Sequence, residues 1–553
     1  KTTTKQVLNY VVSVENHTEN KANSPALFDP SSSFLEILKN CRQQIISLND
    51  IPVQQVPKNT LVRFRCMIQD TGLGQEMFVS AYEKLDRNGN AKLHCYRYTD
   101  EPLEGEVDEE QVMRNEHLSE RTIVYCVSPP GENEWAREAY HNSDSLSDQI
   151  NRLEIEERNE MMIKKYPLSG ARHQSAIVKF YNDQAETIKV GQLIEIVGIR
   201  GSSVQTQSQH NEMEFDSILD AFTGLPVVHA IAFNSLDGIN SSPVASSVEF
   251  NQTHEIRAQL IDHLASVLGG DKLVAEFILF QLISRVTVKN RGLKIGNFTL
   301  NVSGFPSHQT TEEEKKAHFF TLNNPSSRSL ANLLDSLIVH TVNLPLTIDG
   351  LNKTKFAPKS VNENLEAGVL QLVDGTVLLV DETVLDEGQL VDSGVRNFQA
   401  LQNLIQHQTL TYEFPYSQYD FDTDISILSL SSSKSMFPNH CSISLLPNNS
   451  LDKVDTMTPS EDTLNLFRKF IHSAKFNTYD ISDEVSEYIQ TSFVNERKAA
   501  AENSTELPTQ EELMLRMNLA RLAAASFGET TLSQQRYEYV VELDKSRRQR
   551  ANK

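Results

Sequence analysis

The sequence predicts a mixed fold in three successive parts: a β-rich part, an α/β part and an all-helical C-terminal part. Three observations carry this. From Ile51 to about residue 200, apolar residues recur with period two in short runs broken by turns. From 255 to 458, helical periodicity alternates with short apolar strand-like runs, as expected of a parallel sheet covered by helices. From Pro459 the pattern is helical to the end. A chain of 553 residues is too long for one hydrophobic core. The predicted division is an N-terminal segment 1–50, a β-rich domain 51–205 with acidic insertions, a linker 206–254 holding one strand, an α/β domain 255–458, and a helical lid 459–553.

Each element has its own signal. Residues 33–46 form an amphipathic segment with Phe34, Leu35, Ile37, Leu38, Ile45 and Ile46, suited to docking on the body or on a partner. In LVRFRCMIQD (61–70), Val62, Phe64, Cys66 and Ile68 alternate with Arg63, Arg65, Met67 and Gln69, which predicts a half-buried strand. Further strands are predicted at 76–83, 92–98, 122–128, 176–181 and 192–198, consistent with a small barrel or a sandwich. The acidic runs 101–110 and 152–160 read as solvated insertions. A helix over 255–268 ends at Gly269–Gly270, and Asp271 is the N-cap of a second helix, 272–286, apolar nearly all round and so deeply buried. Strands follow at 298–302, 346–348, 376–380 and 425–430, and helices at 327–340 and 395–407. The last helix opens at Ser533 and closes in the basic run Lys545, Arg547, Arg548, Arg550.

Composition excludes several function classes. The net charge of −23 opposes strong direct binding to DNA, which rests on cations meeting phosphates. No apolar run approaches the roughly 20 residues that span a bilayer, and the first ten residues lack the apolar core of a signal peptide. Five cysteines without a CxxC pair predict a reducing compartment, with Cys66 and Cys126 as buried thiols. Trp135, in a turn leading to a short helix, reads as a packing anchor.

One segment carries the outline of a catalytic site. TVLLVDE (376–382) is a buried strand ending in Asp381 and Glu382, the Walker B arrangement in which one carboxylate holds Mg²⁺ and the next polarises water. A working phosphate loop needs GxxxxGK[ST], and no such motif occurs in the chain. The best placed substitute follows the strand at 298–302 and contains Gly304 and Pro306, with no second glycine and no lysine where phosphates would lie. It then runs into Glu312, Glu313 and Glu314, which repel a triphosphate. There is no GxSxG, no HExxH and no Cys/His spacing for zinc. The expectation is therefore no catalytic residue, no cofactor and no metal.

Several segments together resemble the MCM-complex-binding proteins: LVRFRCMIQD (61–70), ERTIVYCVSPPGENEWAREAY (120–140), LGGDKLVAE (268–276), LLVDETVLDEGQL (378–390) and GETTLSQQR (528–536), in that order. The resemblance spans roughly residues 27–550. It implies an N-terminal oligonucleotide-binding-type (OB-like) β-barrel followed by a degenerate AAA-like α/β domain with a C-terminal helical lid, the domain order of the MCM subunits themselves. On that comparison Gly304 and Pro306 fall at the phosphate loop, Asp381 and Glu382 at Walker B, and Ser431–Lys434 where an ATPase places its sensor asparagine. The resemblance further implies a nuclear, non-catalytic partner of MCM helicase subunits. Such a partner regulates MCM assembly, stability and release from chromatin in DNA replication, is linked to sister-chromatid cohesion, mitosis and cell division, and associates with chromatin indirectly. Two other readings stay open on the residues: an active AAA-type ATPase with an atypical phosphate loop, and a single-stranded-DNA-binding replication factor.

Overall fold

The computed structural model describes residues 31–51, 55–85, 91–95, 97–100, 118–141, 160–204, 222–244, 250–290, 293–309, 311, 314, 319–362, 364–449, 451, 459–503 and 507–551. Residues 1–30, the acidic run 101–110, most of the run at 152–160 and the Ser/Gln/Asn-rich stretch 205–221 lie outside the described residues. The fold is mixed α/β with several sheets. Among the described residues, no helix is long and apolar enough to cross a membrane.

Five long strands form the first body: β1 (Thr60–Asp70), β2 (Leu118–Val127), β3 (Ser175–Tyr181), β4 (Leu193–Ser203) and β5 (Pro226–Ser235). Their pairings run β1–β4–β5–β3–β2 and return to β1, so the five form a ring. All neighbours are antiparallel except β3 and β5, which are parallel. Inside lies a core of Cys66, Ile68, Val124, Cys126, Val178, Phe180, Ile194, Ile196 and Val228. Both cysteines are buried free thiols, as the apolar runs predict. The strand expected within a linker is β5, and it completes this ring, so residues 226–235 are no linker.

The half-buried reading of β1 is corrected: from Arg63 to Asp70 every residue is buried. Period-two alternation is present, but the outward face of the ring is covered as well. Arg65 reaches both carboxylate oxygens of Glu132, at 2.6 and 2.7 Å, with its guanidinium 3.9 Å from the Tyr140 ring centroid. Arg63 meets Glu195 at 3.3 Å. Helix α1 (Ser31–Cys41), at the amphipathic N-terminal segment, lays Phe34 against Tyr181, Val197, Ile199 and Ile231 of the ring, so this segment docks on the body. The run expected at 76–83 breaks at Ser80 into the strands Gln75–Val79 and Ala81–Leu85.

The second body is a parallel sheet of β6 (Leu300–Ser303), β7 (Thr341–Pro345), β8 (Val377–Asp381), β9 (Ser426–Ser431) and β10 (Cys441–Ser444), in the order β7–β8–β9–β6–β10. Alternation along β8 assigns its faces. Val377 and Leu379 point into a core shared with the helices α3 (Phe250–Ser266), α4 (Lys272–Ile283), α5 (Pro325–Leu337), α7 (Glu461–Lys475), α9 (Gln510–Ser526) and α10 (Gln534–Ala551). Leu378 and Val380 point the other way, toward α6 (Asp392–His407) and the ring residues Tyr125 and Ile177. Helix α4 is buried from Val274 to Ile283, and Asp271 caps it by accepting from the Leu273 and Val274 amides. The strand expected at 346–348 is corrected to 341–345. Pro345 ends an edge strand, where a missing N–H costs no ladder bond, and Ile348 opens a short helix, Ile348–Lys353.

Two further helices close the description. Helix α2 (Glu134–His141) brings Trp135 to the junction of the bodies, its Nε1 donating to Ile338 O at 3.1 Å and its ring 4.1 Å from the Arg468 guanidinium carbon. It is the packing anchor that the sequence suggests. Helix α8 (Asp483–Glu502) lies outermost in the C-terminal part, with Ile489 its buried contact. The basic run at the end of α10 is internally paired: Arg547 and Arg548 with Asp544, and Arg550 with Asp271 at 2.6 Å.

Candidate functional site

Parallel sheets bind ligands at the carboxyl ends of their strands, where the chain leaves the sheet and backbone groups are released. In this chain Gly304 and Pro306 follow β6, and Asp381 and Glu382 end β8, so all four residues singled out in the sequence meet at this edge. What they make there is a set of internal hydrogen bonds.

Gly304 turns the chain at φ +89°, where a Cβ would lie 3.2 Å from Leu445 O. The next amide, Phe305 N–H, donates to Ser431 O at 3.1 Å, and the Phe305 ring is buried. Pro306 O accepts from Asn324 Nδ2 at 2.8 Å, and His308 N–H donates to Thr383 O at 3.1 Å. A phosphate cradle requires these amides to converge on an empty space; here they converge on strand β9 and on the turn after β8. Glu314 folds back onto Thr311 N–H at 2.8 Å and His308 Nε2 at 3.2 Å. Glu312 and Glu313 lie outside the described residues.

The carboxylates are similarly engaged. Asp381 is fully buried, and its Oδ1 accepts from Thr383 N–H at 3.0 Å and Thr383 Oγ1 at 2.6 Å. Burial raises its pKa, only partly opposed by Thr383 and the Ser327 hydroxyl at the start of α5. Glu382 Oε1 accepts from Ser435 Oγ at 2.5 Å and Oε2 from Met436 N–H at 2.8 Å. Burial again raises its pKa, against those two donors, with the neighbouring Asp381 adding to the rise. A carboxyl group that is buried, raised in pKa and already accepting hydrogen bonds is poorly placed to hold a divalent cation or polarise water. At the sensor position Ser431 Oγ donates to Asn301 Oδ1 at 3.0 Å.

Four residues complete the cluster that the sequence reading missed: Asn324, Ser327, Thr383 and Ser435. Asn324 holds the parts together, with Oδ1 capping α5 at Ser326 N–H and Nδ2 donating to Thr383 Oγ1 and Pro306 O, both at 2.8 Å. Its one sequence signal is the Asn-Pro pair that opens α5, an N-cap followed by proline at N1. Among the described residues, no group of three or more His, Cys, Asp or Glu side chains is placed to hold a metal ion.

The class these features define is a mixed α/β protein whose parallel sheet presents a strand-end edge closed by its own side chains. Comparison with known proteins supplies the family. The chain belongs to the family described as "Mini-chromosome maintenance replisome factor", whose profile matches residues 32–161 and 147–551. Among its relatives are proteins named "Mini-chromosome maintenance complex-binding protein" from Homo sapiens, Danio rerio and Arabidopsis thaliana. The Homo sapiens relative is 29% identical over 94% of this chain and 93% of its own length. The Danio rerio relative is 28% identical, over 92% and 91%. The Arabidopsis thaliana relative is 27% identical, over 92% and 90%.

Proposed function

We propose that this chain is a non-catalytic binding partner of the MCM helicase subunits, acting in the nucleus during DNA replication. It regulates MCM complex assembly, stability and release from chromatin, and through that bears on sister-chromatid cohesion and cell division. The names of the relatives support the MCM complex as the partner. The observation that carries the non-catalytic part is the burial of both acids, with Asp381 Oδ1 held by Thr383 and both Glu382 oxygens held by Ser435 and Met436.

The ring of five strands with one parallel pair supports reading the first body as an OB-type barrel. The sheet order, the acids at the end of β8 and the following helices support an AAA-like module with a helical lid. A module of that shape presents subunit-type surfaces to MCM neighbours without nucleotide turnover. Its effect on assembly then follows from differential affinity for free and closed states. Chromatin association runs through MCM.

The test is co-elution of the purified chain with single MCM subunits and partial assemblies, without nucleotide, followed by light scattering. A stoichiometric complex is expected, and it should survive Asp381→Ala. Absence of any complex, under conditions where MCM subunits bind one another, would overturn the proposal. Tight Mg·ATP binding by calorimetry, lost in Asp381→Ala, would instead promote the ATPase reading.

A further inference from the structure

Between α6 and β9 the chain forms a hairpin whose second strand is exposed along nearly its whole length. Its strands, Thr409–Phe414 and Ser417–Asp422, pair antiparallel, and the first also meets the short strand Lys359–Val361. The second strand is a sheet edge: among the described residues it pairs with its hairpin partner alone. At the base Thr423 N–H donates to Gln408 O at 2.9 Å. Alternation along the ladder then turns the amides of Gln418, Asp420 and Asp422 toward the open edge.

The two faces of the hairpin differ. On one, Leu410 and Tyr412 are buried in the core that the sheet shares with the ring. Toward the tip the same face emerges: Phe414 and Tyr419 meet ring to ring at 5.7 Å, and Tyr419 is 58% exposed. The turn itself is Pro415–Tyr416, where two-residue hairpins favour glycine or asparagine, and Tyr416 is fully exposed. Tyrosine is enriched at protein interfaces, where a few such side chains carry most of the binding energy.

The other face carries Glu413, Asp420 and Asp422, and the stretch 409–424 contains no lysine or arginine. Lysines from elsewhere reach two of the acids: Lys359 meets Glu413 at 3.0 Å and Lys294 meets Asp422 at 2.6 Å. Lys294 is mostly covered, whereas 55% of the Asp422 side chain is exposed. Asp420 accepts from Thr411 Oγ1 at 2.6 Å and meets no cation among the described residues. The edge thus offers backbone hydrogen bonds, with tyrosines on one side and outward carboxylates on the other.

These features choose among occupants. A second copy added antiparallel to this edge would set Asp420 and Asp422 of one chain against those of the other, and like charges placed opposite are unfavourable. A nucleic acid would meet carboxylates where it needs cations. An extended protein segment alternating apolar and basic residues matches both faces and the open amides.

We infer that the edge strand Ser417–Asp422, with Tyr416 and Tyr419 at its tip, docks an extended segment of an MCM subunit in which lysine or arginine alternates with apolar residues. The apolar side chains cover Tyr419 and Phe421, and the cations face Asp420 and Asp422. The inference rests on the proposed MCM partnership and adds the surface that makes it.

The experiment measures the affinity of the full chain for the MCM subunit or partial assembly that co-elutes with it, and backbone amide exchange in that complex. Y416S/Y419S should bind at least about tenfold more weakly than wild type, and D420K about threefold more weakly. Exchange at Gln418, Asp420 and Asp422 should slow on binding. The substituted side chains are exposed, so both variants should melt as wild type does. Should Y416S/Y419S melt lower, Y416S alone gives the same reading with a smaller loss. Wild-type affinity in the folded variants overturns the inference and leaves the MCM partnership standing. Failure of the wild-type chain to bind any MCM species overturns both. Weaker binding without protection at those three amides overturns strand addition. A dimer of the free chain that Y416S/Y419S abolishes overturns the MCM segment as occupant.

Discussion

His340 sits where the ring meets the sheet, bridged to Glu132 and 4% exposed, with no hydrogen-bond partner for its Nε2. Burial depresses its pKa from 6.5 to about 4; Glu132 opposes the shift, while Arg65 and Lys475 add to it. Between those values the unfolded chain binds the proton and the folded chain does not, so stability falls as pH drops through this window. Glu132 behaves differently. Burial would raise it, but Arg65 and His340 outweigh burial and hold it low, so its contribution is lost only below the ordinary carboxylate range. In urea titrations the wild-type midpoint should fall from about pH 7 to about pH 5. His340→Gln should flatten that segment and keep the steeper loss at lower pH. An unchanged slope in the variant would remove His340 from this account. At this scale the sequence showed Asp381 and Glu382, because an apolar run ending in acids is a local pattern. It did not show Thr383 or Ser435 as their partners. Ser435 reaches Glu382 across 53 residues, and a lone serine in a loop leaves no periodicity to read.

Among the elements, α4 shows how local signals and distant partners combine. Its cap, Asp271, was legible from the Gly-Gly-Asp step before an apolar run. Only the fold shows that the same side chain also accepts from Leu446 N–H at 2.9 Å, just beyond β10, and from Arg550 Nη1 at 2.6 Å, at the end of α10. One carboxylate thus joins three elements. Asp271→Ala removes a cap worth about 1 kcal/mol and strands a largely buried arginine, so a total loss of about 3 kcal/mol is expected by urea denaturation. Amide exchange should rise at both the start of α4 and the end of α10. A loss confined to α4 would mean that Arg550 finds another partner. The strand expected at 346–348 failed for a related reason: Pro345 reads locally as a strand breaker that precedes the strand. On an edge strand with its neighbour on one side only, it is the last residue instead.

Over the whole molecule, the ring and the sheet share an apolar core and are joined beside it by a polar seam. Thr341 N–H donates to Gly131 O at 2.8 Å, Gln371 Nε2 donates to Gln69 O at 3.1 Å, and Lys165 Nζ, paired with Asp70, donates to Leu365 O at 3.1 Å. Gly131 adopts φ +68°, and a Cβ on it would fall 2.5 Å from Thr341 O and 2.7 Å from Val342 Cγ2. Gly131→Ala should therefore cost about 2 kcal/mol or more, through both backbone strain and the clash. In calorimetry it should broaden or split the melting transition, since it parts two bodies that each keep a core. A variant melting as sharply as wild type, at the same temperature, would show that the seam tolerates the Cβ.

The sequence by itself determined the order of the parts, the strands of the ring to within a few residues, the buried helix α4 and the lack of a phosphate-loop motif. All of these are written in local periodicity or in contiguous motifs. The tertiary structure alone decided that 226–235 completes the ring and that Arg63 and Arg65 are buried on paired carboxylates. It also decided that the two acids of β8 are held inside the protein. Apart from the local Asp381–Thr383 contact, these depend on groups far apart in the chain meeting in space, and a single sequence carries no record of which distant donor will find which acceptor.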